Sequence, residues 1–189
     1  NESNKSLLYK FALENLSNAI SDDPGFYDAY MVIGYVYSQQ NNPNKAIKAF
    51  DSAIAIQDTV DAYISKAMIQ DEQLNDSFGA SISYRKAAEL DPTDYMIRTN
   101  LAANLINIED YKGAIEEFDK ATKLDANFAE VYNNRGLANA AMKNYKGAII
   151  DYDKALEIHP YYAEAYNNRG VTRQEQQDYQ GALADYNRA

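Results

Sequence analysis

The chain has 189 residues, of which 18 are Lys or Arg and 28 are Asp or Glu, so its formal net charge is −10. A chain this acidic does not attract a phosphate backbone, which argues against general nucleic-acid binding. The sequence has no cysteine and one histidine, His159, which excludes a cysteine nucleophile, a CxxC redox pair and any zinc site built from Cys and His. No apolar run reaches the length of a membrane span, and no signal peptide is found.

The chain begins at Asn1 rather than Met, so we expect a trimmed or processed form. The composition does not indicate a cellular compartment. The cytoplasm is the default expectation, and an exported form stays an alternative.

Internal repeats organise the whole chain. Pro24, Pro92 and Pro160 follow one another at intervals of 68 residues, which is twice 34, and a 34-residue period is typical of paired helices. Shifting the sequence by 34 residues aligns two columns of alanine and, between them, one column of aromatic residues. These columns are Ala46, Ala80, Ala114, Ala148 and Ala182; Phe50, Tyr84, Phe118, Tyr152 and Tyr186; and Ala53, Ala87, Ala121, Ala155 and Ala189. One pair of helices cannot bury its apolar stripe alone, so we expect the units to stack around one continuous core.

Each repeat is predicted to form two amphipathic helices, A and B. In chain order, one domain over 1–189 consists of a partial repeat at 1–26, full repeats at 27–60, 61–94, 95–128 and 129–162, and a truncated repeat at 163–189. In the last full repeat, helix A is predicted at roughly 130–142 and helix B at roughly 145–158. A good N-cap residue precedes each helix B of these repeats: Asn42, Asp76, Asp110, Asn144 and Asp178.

The pattern predicts eleven helices and no strand, with the least regular repeat at 61–94. In that repeat Met68 replaces a small residue and Asp71 replaces an aromatic one. The loop that precedes it, residues 57–60, lacks the proline found in sister repeats.

These columns resemble the tetratricopeptide repeat (TPR) family over essentially the whole chain, which implies an all-α, right-handed α-solenoid. The repeat 129–162 meets the family pattern at Tyr132, Gly136, Ala148, Tyr152, Ala155 and Pro160. It departs at Arg135, as the next repeat does at Arg169, in a column where Leu is usual and where an unpaired guanidinium is costly. Only these two repeats carry Asp in the matching helix B column. We therefore predict that Arg135 pairs with Asp151 and Arg169 with Asp185.

Two alternatives to this pairing stay open. In the first, each arginine would pair with the acidic residue of the preceding repeat, Arg135 with Glu117 and Arg169 with Asp151. In the second, both guanidinium groups would extend into solvent. A second departure is the presence of Asn139 and Arg173 in a column where the family has an aromatic residue.

The resemblance also implies a concave surface lined by the second, fifth, sixth and ninth residues of each helix A. In the sixth column, Asn100, Asn134 and Asn168 follow one another at one-repeat intervals. A side-chain amide offers both donors and an acceptor, so a row of them is suited to hold an extended peptide by its backbone. The predicted peptide-binding residues are Lys66, Asn100, Glu130, Asn133, Asn134, Leu137, Glu164, Asn167, Asn168 and Val171. The alternative is that these asparagines are solvated surface residues.

The charges near this face favour a neutral or basic peptide over an acidic one. A carboxylate clamp of the kind found in TPR co-chaperones needs Lys and Asn in one repeat, a central Asn in the next, and Lys and Arg in the third. Asn134 matches the centre, but the flanking columns hold Thr99 and Ala103 on one side and Glu164 and Asn168 on the other, so the cationic members are absent. The sequence therefore argues against recognition of a terminal carboxylate.

The function predicted from the sequence is a non-enzymatic protein-interaction scaffold. No P-loop, GxSxG, HExxH or EF-hand spacing is found, so no catalytic residue, metal site or cofactor is predicted. Two alternatives are a regulatory or substrate-selecting arm of a larger enzyme, and a module that self-associates through uncapped terminal helices. For the last one, apolar surface is expected on Leu7, Leu8, Phe11 and Leu16 at one end and on Tyr179, Leu183 and Tyr186 at the other.

Overall fold

Eleven α-helices follow one another along the described residues, and the predicted all-α fold is confirmed. The computed structural model describes the backbone of residues 2–189 and the side chains from residue 4 onward, with no strand in that range. A π-helical segment, Ile69–Gln73, directly continues α4. The helices are α1 (Glu2–Asp22), α2 (Tyr27–Gln39), α3 (Pro43–Ile56), α4 (Val60–Met68), α5 (Ser77–Leu90), α6 (Tyr95–Asn107), α7 (Tyr111–Leu124), α8 (Ala129–Ala141), α9 (Tyr145–Ile158), α10 (Ala163–Glu175) and α11 (Tyr179–Tyr186).

The chain forms two compact units. The N-terminal unit extends to Asp91 and holds α1–α5, and the C-terminal unit, Pro92–Ala189, holds α6–α11. Within each unit the A and B helices of a repeat pack closely, as α2 does on α3 and α8 on α9. The alanine columns lie at these contacts and are buried except for Ala189, which follows α11 and is exposed, and small side chains there allow the helices to approach.

A glycine on helix A makes room for the aromatic residue of helix B. A Cβ on Gly136 would lie 2.6 Å from the ring of Tyr152, and a Cβ on Gly34 would lie 2.5 Å from the ring of Phe50. Both rings are fully buried, so they have no space into which to move. The glycine and aromatic columns of the repeat therefore depend on each other.

Four of the five predicted N-caps form, and the prediction is wrong for Asn42. The cap side chain accepts a hydrogen bond from the third backbone N–H of the helix at Asp76, Asp110, Asn144 and Asp178. In each case the donor is a glycine, and a Cβ on it would overlap the cap side chain. Asn42 makes no such bond. The corresponding residue in that repeat is Lys45, which has a Cβ where the other four repeats have glycine.

The repeat 61–94 contains the one π-helical segment of the described residues, which agrees with the prediction that it is the least regular. Two glutamine contacts, one buried and one partly buried, accompany the segment. The Ser83 hydroxyl donates to Oε1 of Gln70 at 2.6 Å, and Nε2 of Gln73 donates to the hydroxyl of Ser38 at 2.9 Å. The Ser77 hydroxyl also donates to Oδ1 of Asp71 at 2.6 Å, so side-chain hydrogen bonds hold the irregular turn on several sides.

Arg135 pairs with Asp151, as predicted from the columns. Nη2 of Arg135 lies 2.5 Å from Oδ1 of Asp151, whose side chain is 5% exposed. Asn139 donates a further bond to Asp151 at 2.9 Å, so the second departure from the family pattern serves the same carboxylate. Nη1 of Arg135 also reaches Asp119 of the preceding repeat at 2.7 Å. The sequence had suggested Glu117 as the alternative partner there.

The following repeat reproduces this cluster. Arg169 pairs with Asp185 at 2.5 Å and with Asp153 of the preceding repeat at 2.5 Å. Arg173, the counterpart of Asn139, donates to Asp185 at 2.8 Å. The arginines are therefore partly buried and paired, and the alternative in which they extend into solvent is wrong.

The apolar side chains expected to be uncovered on the outermost helices are exposed. Leu7 and Phe11 on α1 and Tyr179 and Leu183 on α11 are each about two-thirds exposed, while Leu16 is half-buried. None of the helices over residues 2–189 combines the length and apolar character that crossing a bilayer requires.

Candidate functional site

A groove in the C-terminal unit is formed mainly by the A helices α8 and α10. It encloses about 500 Å³. Its lining residues are Asn133, Asn134, Leu137, Ala163, Glu164, Asn167, Asn168 and Ala189. Six of these are in the set predicted from the helix A columns.

The helical period explains why these side chains meet. On α8, Leu137 lies three residues after Asn134 and four after Asn133, so the three share one face of the helix. Gly136, three residues after Asn133, lies on the adjacent side of the helix and contacts Tyr152 of α9. Packing of α8 on α9 therefore turns the asparagine face towards α10.

Three asparagine side chains are joined in the floor of the groove. Nδ2 of Asn168 donates to Oδ1 of Asn133 at 3.0 Å, and Nδ2 of Asn133 donates to Oδ1 of Asn134 at 3.2 Å. Asn133 is 2% exposed, whereas Asn134 and Asn168 are half-buried. Asn133 was predicted to contact a peptide directly. Its burial instead makes it the link between the other two, because α10 covers it.

The groove carries negative charge on its rim. Glu130 and Glu164 are exposed, and none of the lining residues is Lys or Arg. The hydroxyl of Tyr162 donates to Oε2 of Glu164 at 3.5 Å. Burial, followed by the charges of Glu164 and Glu130, raises the pKa of Tyr162 to about 12. The tyrosine therefore keeps its proton at neutral pH and acts as a donor to the carboxylate.

Other predicted residues lie around this groove or outside it. Leu137 and Val171 expose 38% and 48% of their surface, and Asn167 is exposed. Asn100 is exposed on α6 but does not line the cavity. Two members of the predicted row, Asn134 and Asn168, therefore line the same groove. The third member, Asn100, does not line it.

Lys66 belongs to the N-terminal unit, and its ammonium group is already engaged. Nζ of Lys66 lies 2.6 Å from Oδ1 of Asp51 on α3, and the lysine side chain is 23% exposed. Comparing helix A columns predicted a peptide contact for Lys66. That comparison could not reveal the ion pair with Asp51, because Asp51 is on a helix B of the preceding repeat.

Tyr162 was not predicted from the sequence. It comes directly before α10, outside the helix A columns that were compared. The sequence signal that could have found it is its place directly before helix A of the last repeat. A residue there lies beside the first turn of that helix, which carries the groove residue Glu164.

Four family models match the chain, and each describes a tetratricopeptide repeat. They match residues 27–59, 108–143, 129–162 and 151–184. The chain belongs to the TPR family. This is the fold of protein–protein interaction scaffolds, and its members are typically not enzymes.

Solved structures share the fold. MamA is 21% identical, with a TM-score of 0.77 over 82% of this chain and 91% of that chain. YrrB, described as "a TPR protein with an unusual peptide-binding site", is 20% identical, with a TM-score of 0.76 over 93% and 91%. PilF of Pseudomonas aeruginosa is 23% identical, with a TM-score of 0.69 over 86% and 74%. At these identities the likeness concerns the fold alone. No curated protein matches the sequence significantly.

Proposed function

We propose that the C-terminal unit is a protein-interaction module that binds an extended, neutral or basic peptide in the groove of α8 and α10. One observation carries the proposal. Asn134 and Asn168 lie side by side at the groove, linked through Asn133, and each has a hydrogen-bonding group that the floor contacts do not use. YrrB, which has the same fold and is described as having a peptide-binding site, supports the class of ligand.

The two amides are suited to the backbone of the partner rather than to its side chains. An extended peptide exposes N–H and C=O groups along its length, and a primary amide pairs with either of them. Leu137 adds an apolar contact at the same surface. Glu130 and Glu164 then favour Lys or Arg among the side chains of the peptide and disfavour Asp or Glu. Asn100 and Val171, both exposed, extend the proposed contact along neighbouring A helices.

The test is a selection of 12-residue peptides from an unstructured, displayed library against the whole chain. A peptide enriched in this way is labelled, and its Kd is measured by fluorescence anisotropy. Asn134→Ala and Asn168→Ala are each expected to weaken binding about tenfold, the effect of losing one well-placed hydrogen bond. Asn44→Ala, an exposed asparagine on α3, serves as the matched control and is expected to change nothing.

Charge selectivity gives a second measurement on the same peptides. Enriched sequences are expected to carry Lys or Arg, and Glu164→Gln is expected to reduce their advantage over neutral ones. If no peptide is enriched, or if both asparagine variants bind as the wild type does, the proposed function is wrong.

One observation favours self-association as a second candidate. Leu7, Leu8 and Phe11 form an exposed apolar patch on α1, and Lys10 and Glu14 line a cavity of about 380 Å³ with them. We propose a second copy as the occupant, because a two-fold axis between antiparallel α1 helices would set Lys10 of each copy against Glu14 of the other. Light scattering is expected to show a dimer that Leu8→Glu dissociates. A monomer at high protein concentration would exclude it.

A further inference from the structure

The direction of the hydrogen bonds in the groove floor is set by a carboxylate. An ionised carboxylate only accepts hydrogen bonds, so the Tyr162 hydroxyl is the donor in its 3.5 Å contact with Glu164. The tyrosine oxygen is then left as an acceptor for the side chain of Asn133, a contact that acts to lower the pKa of Tyr162. The bond from Nδ2 of Asn133 to Oδ1 of Asn134 has the same orientation, with the amide NH₂ turned away from Asn168.

The orientation of Asn133 then fixes both neighbours. With Nδ2 turned towards Asn134, Oδ1 of Asn133 faces Asn168 and accepts from its Nδ2 at 3.0 Å. On the other side, Nδ2 of Asn133 donates to Oδ1 of Asn134 at 3.2 Å. Rotating Asn133 by half a turn would set acceptor against acceptor at Asn134 and donor against donor at Asn168, at the cost of buried unsatisfied groups.

We infer that the groove reads the polarity of a peptide backbone, with Asn134 offering N–H donors to a peptide carbonyl and Asn168 offering its oxygen to a peptide N–H. Asn133 is the positioning residue: it is 2% exposed, and it acts through its two neighbours. The inference rests on the proposed function and narrows the ligand class. The peptide needs a free backbone N–H at the Asn168 position, so proline or an N-methylated residue is rejected there.

An N-methyl scan of the enriched peptide tests the polarity. Each backbone N–H is replaced in turn by N–CH₃, and the Kd is measured on the whole chain. One position is expected to lose about tenfold in affinity through the missing hydrogen bond, and Asn168→Ala is expected to abolish that sensitivity. Asn134→Ala is expected to weaken binding at all positions equally and to leave the sensitive position in place. A flat scan on the wild type would overturn the inference.

The role of Asn133 needs a variant that removes its hydrogen bonds and keeps its size. Asn133→Leu frees both neighbouring amides to rotate, so affinity is expected to fall about tenfold and the N-methyl profile to flatten. Asn104→Leu is the matched control, since Asn104 is also 2% exposed in the same unit and does not line the groove. It is expected to lower the melting temperature while the scan keeps its sensitive position.

The conservative variant Asn133→Asp separates the two contacts and serves if Asn133→Leu fails to fold. The aspartate keeps the acceptor for Asn168 and loses the donor to Asn134. The sensitive N-methyl position is expected to persist, with affinity reduced to that of Asn134→Ala. If Asn133→Leu and Asn133→Asp both bind as the wild type does while Asn134→Ala and Asn168→Ala bind weakly, the inference is wrong and the proposed function stands.

Discussion

The repeats 61–94 and 129–162 differ in the polar residue that one helix B column places between helices A and B. It is a neutral serine, Ser83, in the first and a charged aspartate, Asp151, in the second. In the first, a helix B serine, Ser83, donates to Gln70 of a π-helical segment, and both members of this pair are neutral. In the second, the same column holds Asp151, which accepts from Arg135 and Asn139 beside a regular helix. In both repeats the buried polar side chain has hydrogen-bond partners on helix A or the segment that continues it. Such partners are needed for the neutral and the charged group alike, because a lone buried polar group is costly.

Contacts between repeats, in contrast, are alike in the two units. In the N-terminal unit Lys66 pairs with Asp51 on the helix B of the preceding repeat at 2.6 Å. In the C-terminal unit Arg135 pairs with Asp119, in the same helix B column, at 2.7 Å. The aspartates are about half exposed in both cases. The units thus differ in the core of a repeat and agree at the surface between repeats.

The largest expected effect is the loss of the buried charge pair. Asp151→Ala leaves Asn139 and part of Arg135 without an acceptor, so the free energy of unfolding is expected to fall by about 3 kcal/mol. Urea unfolding followed by circular dichroism measures it. Asp119→Ala removes the half-exposed partner of the same arginine and is expected to cost less than about 1 kcal/mol. Equal losses in the two variants would show that burial does not decide the strength of these pairs.

The aromatic column is expected to respond to alkaline pH in the same way in both units. Burial raises the pKa of Tyr84 and of Tyr152 to about 12. In the unfolded chain a tyrosine titrates near 10, so the unfolded state loses its protons first and stability falls between pH 10 and 12. Each Tyr→Phe change is expected to recover about 1 kcal/mol at pH 11 relative to pH 9.

Phe50 and Phe118 occupy this column in sister repeats, so the change is expected to fit the core. Urea unfolding at pH 9 and pH 11 compares the wild type with Tyr84→Phe and Tyr152→Phe. An unchanged pH dependence in both variants would mean that other groups cause the alkaline loss.

The neutral counterpart of Asp151 is expected to matter less. Ser83→Ala removes one hydrogen bond to Gln70 and leaves no charge behind, so a loss of about 1 kcal/mol is expected. The same urea titration measures it. A loss as large as that of Asp151→Ala would contradict the distinction between the neutral and the charged cluster.

The smallest expected effect concerns helix caps. Asn144 caps α9 with its side chain, and Asn144→Ala is expected to cost about 1 kcal/mol. Asn42 makes no side-chain cap bond at α3, so Asn42→Ala is expected to leave stability unchanged. A similar loss in both variants, seen as equal shifts in the thermal midpoint, would show that Asn42 caps its helix in solution.

The sequence predicted helix limits well where a repeat carries both a cap and a stop. Helix B was expected at roughly 145–158 and is Tyr145–Ile158, and helix A was expected at roughly 130–142 and is Ala129–Ala141. The pairs of Arg135 with Asp151 and of Arg169 with Asp185 followed from the same columns. Two positions that change together within one repeat indicate a contact, because the helices of a repeat are fixed against each other by its aromatic and glycine columns.

The sequence by itself thus determined the repeat, its helices and the contacts inside each repeat, since all of these follow from the 34-residue period and the helical period of 3.6. Only the tertiary structure decided which of two adjacent asparagines in the groove, Asn133 or Asn134, is buried. Asn133 is buried because α10 covers it, and Lys66 is engaged because Asp51 comes from another repeat. Contacts between repeats depend on how one helix pair packs on the next. The position of a side chain in its own helix does not specify that packing.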